Sequence, residues 1–410
     1  MLIGEKFYYR LSIIIIILSS ILLAMVAVFY LGNRQQFFDE SDYVGIAERI
    51  ISERAYVNES GQPTAARPPG YPLLVAIFIL INAGNLSIVF AQIIIFGISS
   101  WVVSNISRGI FGAEAGFCAA AACILNPGLC GLAVTVFPQI IIGFLLIIIL
   151  YISLKYNAPF RIYKISFTWS VLSLVNPMMA PLSFVHLLWI SRRARLYARF
   201  LAVSIAYLPI VIWIVRNWIV MGAPVIGTNT GINLVIGNAP WSSIWEGVSN
   251  ENGPIFDSLA GLSEIESNKR LTDMAISWIS ASPAESIFNY ILKLISFFRI
   301  SDNITVSNSK ILFAQNAYSV FYILNISMFI IGIRDTKNKS MIVFISIIIT
   351  IIYTAMIYSI FFNRIRFRLP LDFMIAIPAS RGVVISWGYL NIYKIKLSNY
   401  INHHQKKQSR

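Results

Sequence analysis

Charged residues are scarce in this chain of 410 residues. Asp, Glu, Lys and Arg together make up 12% of the sequence, whereas 57% of the residues are hydrophobic and the mean hydropathy is +0.72. Soluble domains carry about 25% charged residues, so this composition excludes a soluble protein. Apolar runs at 11–31, 140–154 and 341–362 also exclude a single anchor with a soluble head. The sequence predicts an all-α, polytopic membrane protein.

Cysteine and histidine, with three residues each, are also rare. The cysteines share one apolar stretch, lack the spacing of metal ligands and are odd in number, which excludes a disulfide scaffold. The sequence also lacks a Gly-rich strand–turn–helix phosphate motif, so no nucleotide-binding domain is expected. No cofactor is indicated. A divalent metal ion is compatible with the sequence, but no cluster of ligand residues points to one.

Hydropathy and the distribution of basic loops together predict about ten membrane spans, with both termini inside. The net charge of +14 comes mainly from Lys and Arg in the predicted cytoplasmic loops. It is therefore an orientation signal, and a nucleic-acid partner is not expected. Residues 1–410 are treated as one transmembrane domain. The expected spans are 11–31, 87–107, 114–134, 139–154, 164–179, 181–191, 199–216, 311–333, 341–362 and 369–392.

Two segments on the predicted external side, 32–86 and 217–310, are too long to be simple turns. The first has apolar residues at helical spacing over 43–51 with charges opposite, which predicts a helix lying along the membrane interface. A second apolar stretch, 71–81, is expected to lie on the membrane or dip into it. The other segment is polar at its start and helical in pattern from 262 to 298. Long ordered loops often carry function.

Three carboxylates follow the first predicted span: Asp39, Glu40 and Asp42. A partly desolvated carboxylate at a membrane surface can act as a general base if it reaches a hydroxyl proton. The alternative is a solvated acidic cluster beside the membrane, since exposed charge runs usually carry no chemistry.

Arginines stand at the outer ends of predicted spans, where the positive-inside rule disfavours them. Arg216 ends the seventh span, Arg364, Arg366 and Arg368 follow the ninth, and Arg67 opens a rigid Arg-Pro-Pro-Gly-Tyr-Pro sequence. The planar guanidinium fork suits an anion such as phosphate or diphosphate. The alternatives are snorkelling to anionic lipid and, for Arg67, a rigid connector.

Small and amide residues are concentrated at 227–238. Their backbone and side-chain groups offer hydrogen bonds that suit a sugar. An ordinary loop has the same composition, so this signal is weak by itself.

In their order along the chain, these features resemble the GT-C membrane glycosyltransferases, specifically the bacterial protein-mannosyltransferase-like group that includes lipid A aminoarabinose transferases (family 39/83 type). The resemblance spans about 30–385 and rests on the joint order of several short motifs. Two positions differ from the family pattern: Gln139 stands where Glu is expected, and Asn176 where Arg often precedes Pro. The motifs are Asp39-Glu40-Ser41-Asp42-Tyr43 with Ile46-Ala47, Arg67-Pro68-Pro69-Gly70-Tyr71-Pro72, Asn126-Pro127, Arg216-Asn217 before Gly222, Gly237-Asn238, and Arg366-Phe367-Arg368-Leu369-Pro370.

The resemblance implies a GT-C-like fold and a hexosyl- or pentosyltransferase of cell-envelope polysaccharide synthesis. Its implied partners are a polyprenyl-phosphate-linked sugar as donor, a lipid-linked glycan, lipid or protein as acceptor, and membrane lipids. The implied location is the bacterial inner membrane, with the active site facing the periplasm or cell exterior.

The same resemblance implies roles for individual residues. Asp39 is the expected catalytic base and Glu40 a supporting residue. Donor-phosphate binding is expected of Arg67, Arg216, Arg366 and Arg368, and acceptor or sugar binding of Asp42, Tyr43, Tyr71, Gln139, Asn217, Asn233 and Asn238.

Two other classes of protein remain open at this stage. An O-antigen polymerase or ligase would also use external arginines and lipid-linked sugars. A lipid or glycan transporter would instead place ionisable groups along a midmembrane path, for which Arg381 is the strongest candidate. The enzyme hypothesis requires Asp39 to lie near the external arginines.

Overall fold

The computed structural model describes residues 2–31, 37–81, 84–155, 160–244, 253–301, 309–334 and 338–408. These residues form helices joined by short loops. Their β-structure is an isolated antiparallel bridge between Val57 and Pro63. The predicted all-α architecture is confirmed.

The helices are numbered in chain order. They are α1 Leu2–Val26, α2 Phe38–Ser52, α3 Gly70–Leu80, α4 Gly84–Phe111, α5 Ala113–Ile124, α6 Pro127–Ala133, α7 Gln139–Leu154, α8 Arg161–Val175, α9 Ala180–Ile190, α10 Leu196–Met221, α11 Thr230–Asn238, α12 Gly253–Asp257, α13 Glu264–Ala281, α14 Pro283–Ser296, α15 Ser309–Arg334, α16 Asn338–Ser359 and α17 Ile365–Gln408. A π-helical turn, Ala27–Leu31, follows α1, and a 3₁₀ turn, Pro177–Met179, precedes α9.

Six helices in the described part of the chain are long and apolar enough to cross a membrane: α1, α4, α10, α15, α16 and α17. A seventh crossing results if α5 and α6, which meet at 62°, form one bent span. The prediction of about ten spans is not confirmed. The remaining apolar helices, Gly70–Leu80, Gln139–Leu154 and Pro177–Ile190, are shorter than the roughly 20 residues that cross the hydrocarbon core.

Proline accounts for breaks that hydropathy does not register. Pro127 occupies the first position of α6, and the Asn126 side chain accepts hydrogen bonds from the backbone amides of Gly128 (2.9 Å) and Leu129 (3.1 Å). This cap satisfies amides that the break leaves without helical partners. Pro177 similarly follows the end of α8, after Asn176 adopts an extended conformation.

The two long segments outside the predicted spans are largely helical where they are described. The segment 32–86 contains α2 and α3, and 217–310 contains α11 to α14. The helical pattern read from 262 to 298 corresponds to α13 and α14. The position of α2 and α3 along the membrane interface remains a prediction.

Helix α17 lies at the centre of the bundle and packs against α4, α5, α7 and α15. Its contact with α15 is made backbone to backbone at two glycines. A methyl group at Gly332 would overlap the carbonyl oxygen of Pro378, and one at Gly382 would overlap that of Met328. Small residues of this kind let membrane helices approach closely. The start of α17, which carries Arg366 and Arg368, is therefore held on a firmly packed helix.

Gly382→Ala should destabilise the protein, because the added methyl group must push α15 away from α17. Overpacking of this kind costs about 1–3 kcal/mol. Gly388→Ala is the matched control on the same helix, since a methyl group there meets no neighbouring atom. Thermal unfolding in detergent should show a lowered midpoint for Gly382→Ala alone. Equal midpoints for the two variants would contradict the close helix contact.

Candidate functional site

The acidic motif lies on the first turns of α2. The carboxylate of Glu40 accepts a hydrogen bond from the backbone amide of Phe37 (3.1 Å), which caps the helix start. Acidic side chains in a first helical turn are also favoured by the positive end of the helix dipole. Because residues three apart share a helix face, Asp39 and Asp42 project together, whereas Glu40 points elsewhere.

Glu40 points into the protein and is 2% exposed. Its Oε1 accepts a hydrogen bond from the backbone amide of Val136 (2.8 Å), in the connection between α6 and α7. This bond fixes α2 against the bundle. Glu40 thereby supports the helix that presents Asp39.

Arg67 bridges the two outward carboxylates. Its Nη2 lies 2.8 Å from Asp39 Oδ1 and 2.6 Å from Asp42 Oδ2, and its guanidinium lies 5.0 Å from the centroid of the Tyr43 ring. The chain that carries Arg67 is fixed by α3, which begins at Gly70. A methyl group at Gly70 would lie 2.6 Å from the carbonyl carbon of Leu174, so only glycine allows this approach to α8.

Arg366, on the first turn of α17, contacts Asp39 from the other side. Its Nη2 lies 2.6 Å from Asp39 Oδ2, and its guanidinium lies 5.2 Å from the Phe137 ring and 5.3 Å from the Phe367 ring. Both contacts have the geometry of cation–π interactions. Segments some 300 residues apart in the chain thus meet at one carboxylate.

We call Asp39, Asp42, Arg67 and Arg366 the charge cluster. The exposed fractions of their side chains range from 17% for Arg67 to 32% for Asp42, so solvent or a ligand reaches all four. Burial opposes ionisation of Asp39, but the guanidiniums of Arg366 and Arg67 outweigh it and lower the pKa of this carboxyl below its ordinary value. Asp39 is therefore held as a carboxylate between two guanidiniums.

Arg216, which is expected to bind the donor phosphate, donates hydrogen bonds to protein atoms in this structure. Nη1 donates to the carbonyl of Thr64 (2.8 Å) and to Asn217 Oδ1 (3.0 Å), and Nη2 donates to the carbonyl of Tyr56 (2.7 Å). The Tyr56 hydroxyl in turn donates to the carbonyl of Arg67 (2.8 Å). Arg216 thus holds the loop that presents Arg67.

The same loop is attached to the second external segment through Glu264. Its carboxylate accepts hydrogen bonds from the Thr64 hydroxyl (2.7 Å), the Ala65 amide (2.8 Å) and the Thr228 hydroxyl. Asn217, which is fully buried, donates to the carbonyl of Val225 (2.8 Å). These bonds connect α10, α13 and the loop before α3 on the face that carries the charge cluster.

Arg368 is 1% exposed and is directed into the protein. Nη1 donates to the carbonyls of Phe297 (2.9 Å) and Arg299 (2.8 Å), and Nη2 donates to the Tyr318 hydroxyl (3.1 Å). One turn later, Asp372 Oδ2 accepts hydrogen bonds from Tyr318 (3.2 Å) and from the side-chain amide of Asn126. This network anchors the start of α17. Asp372 is not among the residues expected from the sequence, although a carboxylate within an apolar span is a signal that could have identified it.

The expected sugar-binding residues are spread over several places. Tyr43 makes an edge contact with Tyr71 (4.9 Å between centroids), and the buried Tyr71 hydroxyl donates to Gln92. Asn233 lies partly buried on α11. Gln139 lines a small cavity at the start of α7.

Lys293 is a buried residue that sequence reasoning missed. Its ammonium donates to the carbonyls of Gly237 (3.1 Å) and Phe361 (2.9 Å) and to Asn238 Oδ1 (2.9 Å). Burial lowers the pKa of Lys293 to about 8. Asn238 and Lys293 therefore join α11, α14 and the end of α16.

No group of three His, Cys, Asp or Glu residues that could hold a metal ion occurs within the described ranges. The sequence matches no protein-family model and no curated protein. Solved structures similar to the chain include ArnT from Cupriavidus metallidurans in the apo state (TM-score 0.44, 14% identity) and bound to undecaprenyl phosphate (0.42, 13%). Each alignment covers 90% of this chain and 77% of the other. A similarity this low assigns neither substrate nor mechanism.

The ion pairs of Asp39 should make folding stability depend on acid pH. Because the folded-state pKa of Asp39 is lowered, its pairs stabilise the protein fully above about pH 4, and this contribution is lost as the pH falls through the folded-state value. Thermal midpoints in detergent should show the advantage of wild type over Asp39→Asn shrinking under acid. Glu48→Gln, at an exposed position of α2, should follow wild type. A difference between wild type and Asp39→Asn that stays constant into acid would contradict the pairing.

Proposed function

We propose that the chain is a membrane glycosyltransferase that moves a hexose or pentose from a polyprenyl-phosphate donor to a lipid-linked glycan, lipid or protein acceptor. The observation that carries this proposal is the position of Asp39 between Arg67 and Arg366. A base and two anion-binding groups stand within contact of one another, and all three are partly exposed. The order of motifs that resembles the GT-C glycosyltransferases supports the same function.

The two arginines suit the phosphate of the donor. Each guanidinium presents a planar fork that binds phosphate oxygens in pairs. In the structure, the carboxylates of Asp39 and Asp42 contact these guanidiniums. We infer that the donor phosphate displaces them, so that the carboxylates keep the arginines ordered until the lipid arrives.

This exchange also prepares the base. While Asp39 is paired with two cations its carboxylate is a weak base, because its pKa is lowered. Once Arg67 and Arg366 turn to the singly charged phosphodiester of the donor, Asp39 loses part of that stabilisation and its pKa rises. Asp39 is then suited to take a proton from an acceptor hydroxyl held against it.

The reaction is one displacement at the anomeric carbon. The acceptor oxygen forms a bond to that carbon as its proton passes to Asp39, and the bond to the phosphate oxygen breaks with its electron pair left on the polyprenyl phosphate. Arg67 and Arg366 stabilise the charge that develops on this leaving group. A single displacement inverts the anomeric configuration.

The location proposed for this chemistry is the outer face of a bacterial inner membrane. Its support is the distribution of basic loops, which predicts that the segment carrying α2 and Arg67 lies on the side away from the cytoplasm. The donor reaches this face within the membrane, so no soluble nucleotide sugar is needed. A cell-envelope polysaccharide is the product class that fits an external site.

Asp39→Asn tests the function directly, because it keeps the shape of the side chain and removes the base. Turnover with a polyprenyl-phosphate sugar and its acceptor should fall by roughly a hundredfold or more. Donor affinity should be retained or increased, since a carboxylate that competes with phosphate for Arg366 is gone. Radiolabelled donor allows transfer and binding to be measured on the same preparation.

Glu48→Gln is the control for a carboxylate lost elsewhere on α2. Comparable turnover in wild type and Asp39→Asn would contradict the role of Asp39 as base. Movement of the labelled lipid or glycan across reconstituted vesicles without any transfer would support the transporter alternative.

A further inference from the structure

A small cavity lies beside the charge cluster. Its volume is about 10 Å³, enough for one group the size of a water molecule. Polar groups line one part of it and apolar side chains close the rest. The lining residues that matter here are Gln139, Asn176, Thr354, Tyr358, Phe367 and Pro370.

Phe367 contacts both this cavity and the charge cluster. The Arg366 guanidinium lies against the rings of Phe137 and Phe367. Phe367 also lines the cavity, where it stacks on Tyr358 with ring centroids 4.7 Å apart. Gln139 follows Phe137 by two residues at the start of α7. A sugar attached to a phosphate at Arg366 would therefore lie next to the cavity.

The cavity offers one unused acceptor. Gln139 is 8% exposed, and its buried Oε1 has no hydrogen-bond partner among the described residues. A buried carbonyl oxygen without a partner is unfavourable, so a group that donates to it from the cavity would be bound selectively.

The cavity also offers one donor. The Tyr358 hydroxyl accepts a hydrogen bond from the side-chain amide of Asn176 (3.0 Å). A phenol that accepts in this way keeps its own proton for donation. The residues that line the cavity include no Asp, Glu, Lys or Arg. The environment thus suits an uncharged group that both donates and accepts.

We propose that the cavity is a specificity subsite for one uncharged hydroxyl group of the transferred sugar, an inference that rests on the proposed function. The hydroxyl donates to Gln139 Oε1 and accepts from the Tyr358 hydroxyl. It fixes the sugar relative to Arg366 and selects against donors that carry hydrogen, or a charged group, at the same ring position.

Deoxy donors provide the test. Transfer by wild type is measured with a polyprenyl-phosphate sugar that the enzyme accepts and with analogues lacking one ring hydroxyl at a time. One analogue should lose about tenfold or more in kcat/KM, because it leaves the polar groups of the cavity unpaired. Gln139→Met should reduce transfer of the full sugar to a similar extent but should leave transfer of that one analogue unchanged.

Tyr358→Phe is a second, independent variant, since it removes the hydroxyl and keeps the ring stacked on Phe367. Tyr358→Phe should also reduce transfer of the full sugar and leave transfer of the same deoxy analogue unchanged. Purely structural damage would not produce this coupling between one side chain and one sugar hydroxyl. Gln62→Met, at an exposed position in the first external segment, is the matched control and should behave as wild type with every donor.

The outcomes separate the two proposals. If wild type transfers sugar but Gln139→Met and Tyr358→Phe affect all donors equally, the cavity holds only a structural water and the subsite is overturned. If wild type transfers sugar from none of the polyprenyl-phosphate donors, the proposed function itself fails and the subsite with it.

Discussion

A guanidinium that is removed from solvent needs hydrogen-bond acceptors from the protein. This requirement determines the contacts at the end of the bundle that carries the charge cluster. In this protein the acceptors are backbone carbonyls and carboxylates. Arg67 and Arg366 meet the requirement at Asp39 and Asp42. These contacts join α2, the loop before α3 and the start of α17. Their partial exposure leaves the same donors open to exchange with another anion.

Two other arginines, Arg216 and Arg368, meet the requirement mainly with backbone carbonyl oxygens. Arg216 fixes the loop that carries Arg67, and Arg368 fixes the turn that carries Arg366. Glu40 and Glu264 also fix the backbone, because their carboxylates accept hydrogen bonds from backbone amides. The difference between the two kinds of arginine is thus the identity of the acceptor. Under the proposed function phosphate displaces the carboxylate partners, whereas a carbonyl partner belongs to the folded backbone.

This distinction also marks the limit of what the sequence predicts. Composition alone predicts an all-α membrane protein. The motif around Asp39 identifies both carboxylates of the charge cluster as candidate site residues. All four candidate arginines looked equivalent, however, because the carbonyls that accept from Arg216 and Arg368 belong to segments far away in the chain. The predicted number of about ten spans is not confirmed, because apolar segments such as Gln139–Leu154 form helices shorter than the roughly 20 residues that cross the hydrocarbon core. The burial of Lys293 could not be predicted from the sequence, since it depends on the packing of α14 against α16.

The central claim is that the ion pairs of Asp39 occupy an anion site, and a structure of the protein with bound polyprenyl phosphate tests it most directly. The measurement is the pair of distances from Arg366 Nη2 to Asp39 Oδ2, now 2.6 Å, and to the nearest phosphate oxygen. Our account predicts that the phosphate lies within hydrogen-bonding distance of Arg366 and Arg67 and that the contact of Arg366 with Asp39 is lengthened. A phosphate bound elsewhere, with the Asp39–Arg366 contact intact, would contradict it.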